Sequence, residues 1–155
     1  MIRLGAIAAI LCLMLGAAPP VTSTGTQPVK VTADNFAIDE ATHEAVFTGN
    51  VLVIHPRVTV WAAKVVSEYG AGGPSDVKTF IATGNVKLKT KDQTATGDKA
   101  VFDPKTQLLH LTGNVLVVNA SGKVNSPELV VDLEKNTSVF TSSKGSRVTS
   151  VFNPQ

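Results

Sequence analysis

Apolar and polar side chains alternate along this chain in many short runs, and no stretch sustains the 3.6-residue period of a helix. Three runs share one core: Phe47-Thr48-Gly49-Asn50-Val51, Thr83-Gly84-Asn85-Val86 and Leu111-Thr112-Gly113-Asn114-Val115. Each leads into an extended run, and the three glycines stand 35 and 29 residues apart. A repeat of that length is a supersecondary unit and dictates the architecture. An acidic residue lies ten positions before the glycine at Asp39 and at Asp103, and Asp132 keeps that spacing to Ser142 in a decayed fourth copy. In the second copy Glu68 stands sixteen positions before Gly84, and the six extra residues match the loop Gly70-Ala71-Gly72-Gly73-Pro74-Ser75.

The pattern predicts a first strand over Val29-Lys30-Val31-Thr32 and a second over Asn35–Ile38, closed by a turn at Asp39–Thr42. A return strand runs from Ala45 to Ile54, His55-Pro56-Arg57 breaks it, and Val58–Ser67 resumes. Two strands, Lys78–Ala82 and Val86–Thr90, flank the second Gly-Asn pair. Ala100–Phe102, a turn at Asp103–Thr106 and Leu108–Val118 repeat the scheme. Leu129–Val131 and Ser138–Thr141 make a last hairpin, and Arg147–Phe152 is a terminal strand. Many short strands with polar turns between them argue for an all-β fold. Serial hairpins of one length stack into an elongated antiparallel roll.

The repeats phase the strands. Lys87 and Lys89 cannot lie unpaired in an apolar interior, so their alternating neighbours Val86 and Leu88 face inward. The same register turns Val51, Val53, Val115 and Val117 inward, and before the glycine it picks out Phe47, Phe80, Leu109, Leu111 and Phe140. Val46, Ile81, His110 and Val139 then face out. Four positions before the acidic residues stand Asn35, Lys64, Lys99 and Glu128, all polar and outward, which turns Phe36, Ile38, Val65, Ala100, Phe102, Leu129 and Val131 inward. One apolar lining follows along the roll. It is either a packed core or, given few large aromatics, an underfilled groove that admits an apolar guest.

Composition refines this picture little. The chain has 155 residues, 43% hydrophobic and only 5% aromatic, with a net charge of +2, which is no nucleic-acid footprint. Residues 1–23 read as a signal segment and cleavage region: Arg3 is the positive end, Leu4–Leu15 the apolar stretch, Gly16-Ala17-Ala18 the small-residue end. Residues 24–28 are a flexible lead-in, and 29–155 one β-domain. Cys12 lies inside the signal segment, so the mature chain has no disulfide or thiol chemistry.

Catalytic chemistry is not assembled. His43, His55 and His110 have no second ligand at metal spacing and read as surface residues. The repeat glycines open no helix and mark bulges or bends, while Asp39, Glu68, Asp103 and Asp132 read as turn residues set apart along the roll. No cofactor is implied, and the chain reads as a non-enzyme. Lys87, Lys89, Lys91 and Lys99 form either a solvated face or a contact for anionic headgroups.

Ala45-Val46-Phe47-Thr48-Gly49-Asn50-Val51, the following Ala62-Ala63-Lys64-Val65-Val66, and Leu111-Thr112-Gly113-Asn114-Val115 resemble the OstA/LptA-type repeat. The tail from Gly145 to Pro154 is similar to the C-terminal end of such proteins, and the resemblance covers roughly residues 29–154. It implies a periplasmic lipopolysaccharide transport protein with a β-jellyroll open along one side. Lipid A acyl chains would ride inside, touching positions that match Val29, Val31, Phe80 and Phe102, while the sugars stay outside. Rolls of this kind stack end to end. The N-terminal edge, Val29, Lys30, Val31 and Thr32, would meet an LptC-like protein. The C-terminal edge, Val148, Thr149, Ser150, Val151 and Phe152, would meet an LptD-like N-terminal domain. Two alternatives remain: an LptC-like roll held by an uncleaved membrane anchor, and a structural stacking β-protein with a dry core.

Overall fold

Alternating β-branched side chains favour extended backbone. In a computed structural model that describes residues 28–153, they form ten strands. These are β1 (Lys30–Thr32), β2 (Asn35–Asp39), β3 (Glu44–His55), β4 (Val58–Tyr69), β5 (Val77–Lys89), β6 (Gln93–Asp103), β7 (Leu108–Asn119), β8 (Gly122–Asp132), β9 (Thr137–Thr141) and β10 (Thr149–Phe152). The expected signal segment, its cysteine and residues 24–27 of the lead-in lie outside the described residues. Every pairing is antiparallel, in the order β1-β3-β4-β5-β6-β7-β8-β10. Each edge is shared by two short strands. β1 covers Leu52–Ile54 of β3 and β2 covers Glu44–Thr48, while β10 covers Gly122–Asn125 of β8 and β9 covers Glu128–Asp132.

The Gly-Asn pairs bend this sheet. In all three repeats both residues have left-handed backbone, with φ of 80 and 46° at Gly49-Asn50, 82 and 48° at Gly84-Asn85, and 78 and 50° at Gly113-Asn114. Register jumps there, so that each pair opposes a single residue: Ala63, Asp98 or Pro127. The bulges line up across the sheet and divide each long strand into two halves. The sheet folds on itself along that line, and the two layers meet inside, where the His55 ring sits edge-on to Phe102 at 5.5 Å. The result is an antiparallel β-jellyroll.

Two side-chain pairs brace the bend. Asn50 donates to Asp34 at 2.8 Å, and Asn114 donates to Asp98 at 2.9 Å. The turns at the far ends of the strands repeat as well. Asp39, Asp103 and Asp132 each accept the N–H groups two and three residues on. Residues four on, His43, Gln107 and Asn136, take positive φ. Glu68 departs from this expectation: it lies within β4 opposite Thr79 and caps no turn, because the inserted loop moves the turn to Gly70–Asp76.

Other expectations are corrected by the bulge. The two strands expected around Gly84 are one, since a bulge interrupts the ladder without ending it. β6 begins at Gln93 and β8 at Gly122, well before the expected Ala100 and Leu129. Their first halves escape a two-residue alternation because the inward face switches parity at the single residue opposite each bulge. In β4, Val58, Val60 and Ala62 are buried, and then Val65, Ser67 and Tyr69.

Candidate functional site

Most of the expected inward positions are buried: Val51, Val53, Val65, Val86, Leu88, Ala100, Phe102, Leu109, Leu111, Val115, Val117, Leu129 and Val131 form one core. Val29, Val31, Phe47, Phe80 and Phe140 pack against it, half-buried. Phe36 and Ile38 do not join it, with 56% and 46% of their surface exposed. Both lie on edge strand β2, beyond the rim that the other layer covers, and Phe36 stacks on Phe47 at 4.7 Å. Of the outward set, Val139 is exposed and His110 stands 3.6 Å from Glu128 at the surface.

Sequence reasoning missed Val58, Val60, Ala62, Ala82, Ala95 and Leu133, all buried. Counting outward from Lys64 gives the wrong face for Val58 and Val60, because the count passes Ala63. The glycine bulge opposite was the available signal.

His55 is the clearest correction. It was expected at the surface and is only 4% exposed. It sits where β3 turns into β4, against Phe102 of the opposite layer. Burial lowers its pKa from the ordinary 6.5, the Arg57 charge lowers it further, and the nearby Gln107 side chain pulls the other way. The ring is therefore neutral at pH 7. Its Nδ1 accepts the Arg57 backbone N–H at 3.2 Å, which leaves the proton on Nε2. That buried nitrogen makes no hydrogen bond of good geometry among the described residues, and the Gln107 side chain, whose pull raises the pKa, is the polar group that faces the ring.

The sign of the pH effect follows. Well above 6.5 the ring is neutral folded or unfolded. Below 6.5 the unfolded chain takes up a proton that the folded chain refuses, so stability falls until pH reaches the lowered folded value. The urea midpoint should drop between about pH 7.5 and about pH 5.5, and the drop should shrink in His55→Phe. Turn carboxylates act elsewhere. The Lys135 ammonium holds Asp132 below its ordinary 3.8. Burial pushes Asp103 up, but the N–H groups of Lys105 and Thr106 outweigh it and leave it below 3.8. Their stabilisation is lost only below that range.

The layers face each other across a mouth opposite the bulge line. Arg57, on the β3–β4 turn, reaches over it and donates to the backbone carbonyls of Leu133 and Glu134, the latter at 3.1 Å. Gln93 spans the same gap to the Ser138 hydroxyl at 3.0 Å. Beneath lies an apolar cavity of about 30 Å³, lined by residues that include Val29, Val53, His55, Val58, Phe80 and Phe102. Two larger grooves adjoin it. One of about 610 Å³ shares Val29 and Phe80 with the cavity. The other, about 730 Å³, shares His55 and Val58 and is lined by Arg57, Trp61, Lys89 and Lys91. The expected lysine cluster is thus divided: Lys89 and Lys91 stand at the mouth, whereas Lys99 lies beside the bulge line opposite Thr83. Among the described residues no helix is long and apolar enough to cross a membrane.

Comparison with known proteins agrees with this fold. The crystal structure of LptH from Pseudomonas aeruginosa, described as the LptA homologous periplasmic component of the lipopolysaccharide transport device, superposes with a TM-score of 0.70. At 19% identity, over 83% of this chain and 96% of that one, it shows the fold. Lipopolysaccharide export system protein LptA of Haemophilus influenzae is 25% identical over 134 residues, 83% of this chain and 78% of that protein. An uncharacterized protein of Rhizobium meliloti is 29% identical over 104 residues. That match takes in 63% of this chain and little more than half, 56%, of the relative. Residues 30–137 match the model of one family over most of the chain, and the chain accordingly belongs to the LptA/(LptD N-terminal domain) LPS transport protein family.

Proposed function

We propose that this chain is a periplasmic bridge that carries lipopolysaccharide, with lipid A acyl chains held between the two layers and the sugars outside. The observation that carries the reading is the continuous apolar interior, bounded by a mouth whose two sides are joined by few polar contacts. Each methylene moved from water into such an interior contributes about 0.8 kcal/mol. The 30 Å³ cavity is the size of one water and holds no acyl chain. Loading therefore requires the layers to part, and the Arg57 and Gln93 bridges are what must yield. No catalytic step is needed.

The edges support end-to-end assembly. β1 and β2 at one end, and β9 and β10 at the other, each leave one side of the strand unpaired. Phe36, Ile38, Val139, Val148, Val151 and Phe152 are exposed there. Strand addition at such edges joins rolls. In this reading an LptC-like protein meets the N-terminal edge, an LptD-like N-terminal domain meets the C-terminal edge, and copies of the chain stack between them. The nearly filled interior favours a second reading, a structural stacking β-protein with a dry core.

Photo-crosslinking residues at positions 80 and 81 separate the two. Phe80 lines the cavity, and Ile81 follows it on the opposite face. Lipopolysaccharide adducts at 80 but not at 81 are expected in cells. Adducts at neither, with the protein folded and exported, would leave only the structural reading.

A further inference from the structure

We infer that the larger groove at the mouth, walled by Arg57, Lys89 and Lys91, is a seat for the phosphorylated headgroup of the glycolipid whose acyl chains enter the roll. The inference rests on the conduit reading and names the part of the lipid that this groove holds.

Charge separates the two grooves. The smaller one balances Asp76 and Asp103 against Lys78 and Lys105, and Lys78 already holds Asp76 at 2.7 Å. The larger one sets Arg57, Lys89 and Lys91 against Asp92 alone. None of those three cations is in an ion pair among the described residues. Lys87, held over the Trp61 ring at 5.6 Å, extends the cationic surface at the groove's edge. A dianionic phosphate is the ligand chemistry that such a surface recognises.

Position ties the groove to an amphiphile. His55 and Val58 line both the cationic groove and the apolar cavity, so one wall separates the charged space from the interior. A lipid with its tails inside must pass its headgroup over that wall. Its ester or amide linkages then cross the neck beside His55, which lines both spaces.

The test compares detergent-dispersed diphosphoryl lipid A with its monophosphoryl form. The wild-type protein should bind the diphosphoryl lipid about fivefold tighter, the scale of one or two exposed ionic contacts. Lys89→Ala with Lys91→Ala should bring the two affinities together without changing the melting temperature, because both side chains are exposed. Excess inorganic phosphate should not displace either lipid. Equal wild-type affinity for the two lipids, or a preference that survives the double substitution, would overturn the headgroup seat and leave the conduit standing, whereas displacement of both lipids by free phosphate would overturn both readings. Failure of the wild-type protein to bind either lipid would instead overturn the conduit reading, and this inference with it.

Discussion

Gly113→Ala is expected to lower stability by about 3 kcal/mol, read as a shift of the urea midpoint at unchanged slope. Three contributions add. Left-handed backbone at φ 78° costs a residue with a Cβ about 1–2 kcal/mol. The new Cβ falls 2.4 Å from Asp98 Oδ2 and 2.8 Å from Asp98 Cβ, so the aspartate must move. Moving it breaks the 2.9 Å bond from Asn114, worth about 1 kcal/mol. Gly73 is the control. Its φ is 83°, but no atom lies within 4 Å of an added Cβ. Gly73→Ala should therefore show the backbone cost alone, about 1–2 kcal/mol. Equal losses at the two positions would mean that the Asp98 brace contributes nothing.

The brace explains how the sequence can be read and where the reading stops. Thr-Gly-Asn-Val recurs because a bulge needs two residues tolerant of left-handed backbone, and glycine and asparagine tolerate it best. That signature is local, so the repeat and most of the inward positions of β3, β5 and β7 were legible. Val51, Leu88, Leu111 and Val117 all lie where alternation places them. The residues opposite the bulges carry no such signature. Ala63, Asp98 and Pro127 share only their register, which exists once the strands pair. So the parity switch in β4, β6 and β8 is signalled only by the Gly-Asn pair of the strand opposite, and Val58, Val60 and Ala95 went unseen.

The site was legible as a lining and not as a mouth. Apolar alternation marks what faces inward but not how far the opposite layer extends. Phe36 and Ile38 have the right phase and no cover. His55 reads as a surface residue because polar turn residues usually are exposed, yet the fold at the bulges carries its turn against Phe102. Arg57 and the carbonyls it reaches are 76 and 77 residues apart, a separation at which local pattern holds no information.

Leu111→Ala tests what the interior is for. Leu111 is fully buried in the centre of β7 and pairs in register with Leu129, equally buried on β8. Truncation there removes three methyl-sized carbons from a closed core and should cost about 3–5 kcal/mol in the lipid-free protein. The two readings diverge once lipid is present. If acyl chains occupy the interior, they fill the space that the leucine left, and binding to the folded state alone adds stability by mass action. Saturating lipid A should then raise the melting temperature of Leu111→Ala more than that of the unsubstituted chain. With a dry core the void stays empty, and lipid A shifts neither protein. A core that only has to be full penalises every void alike, whereas one that must open for a guest is more forgiving of a void when the guest is there.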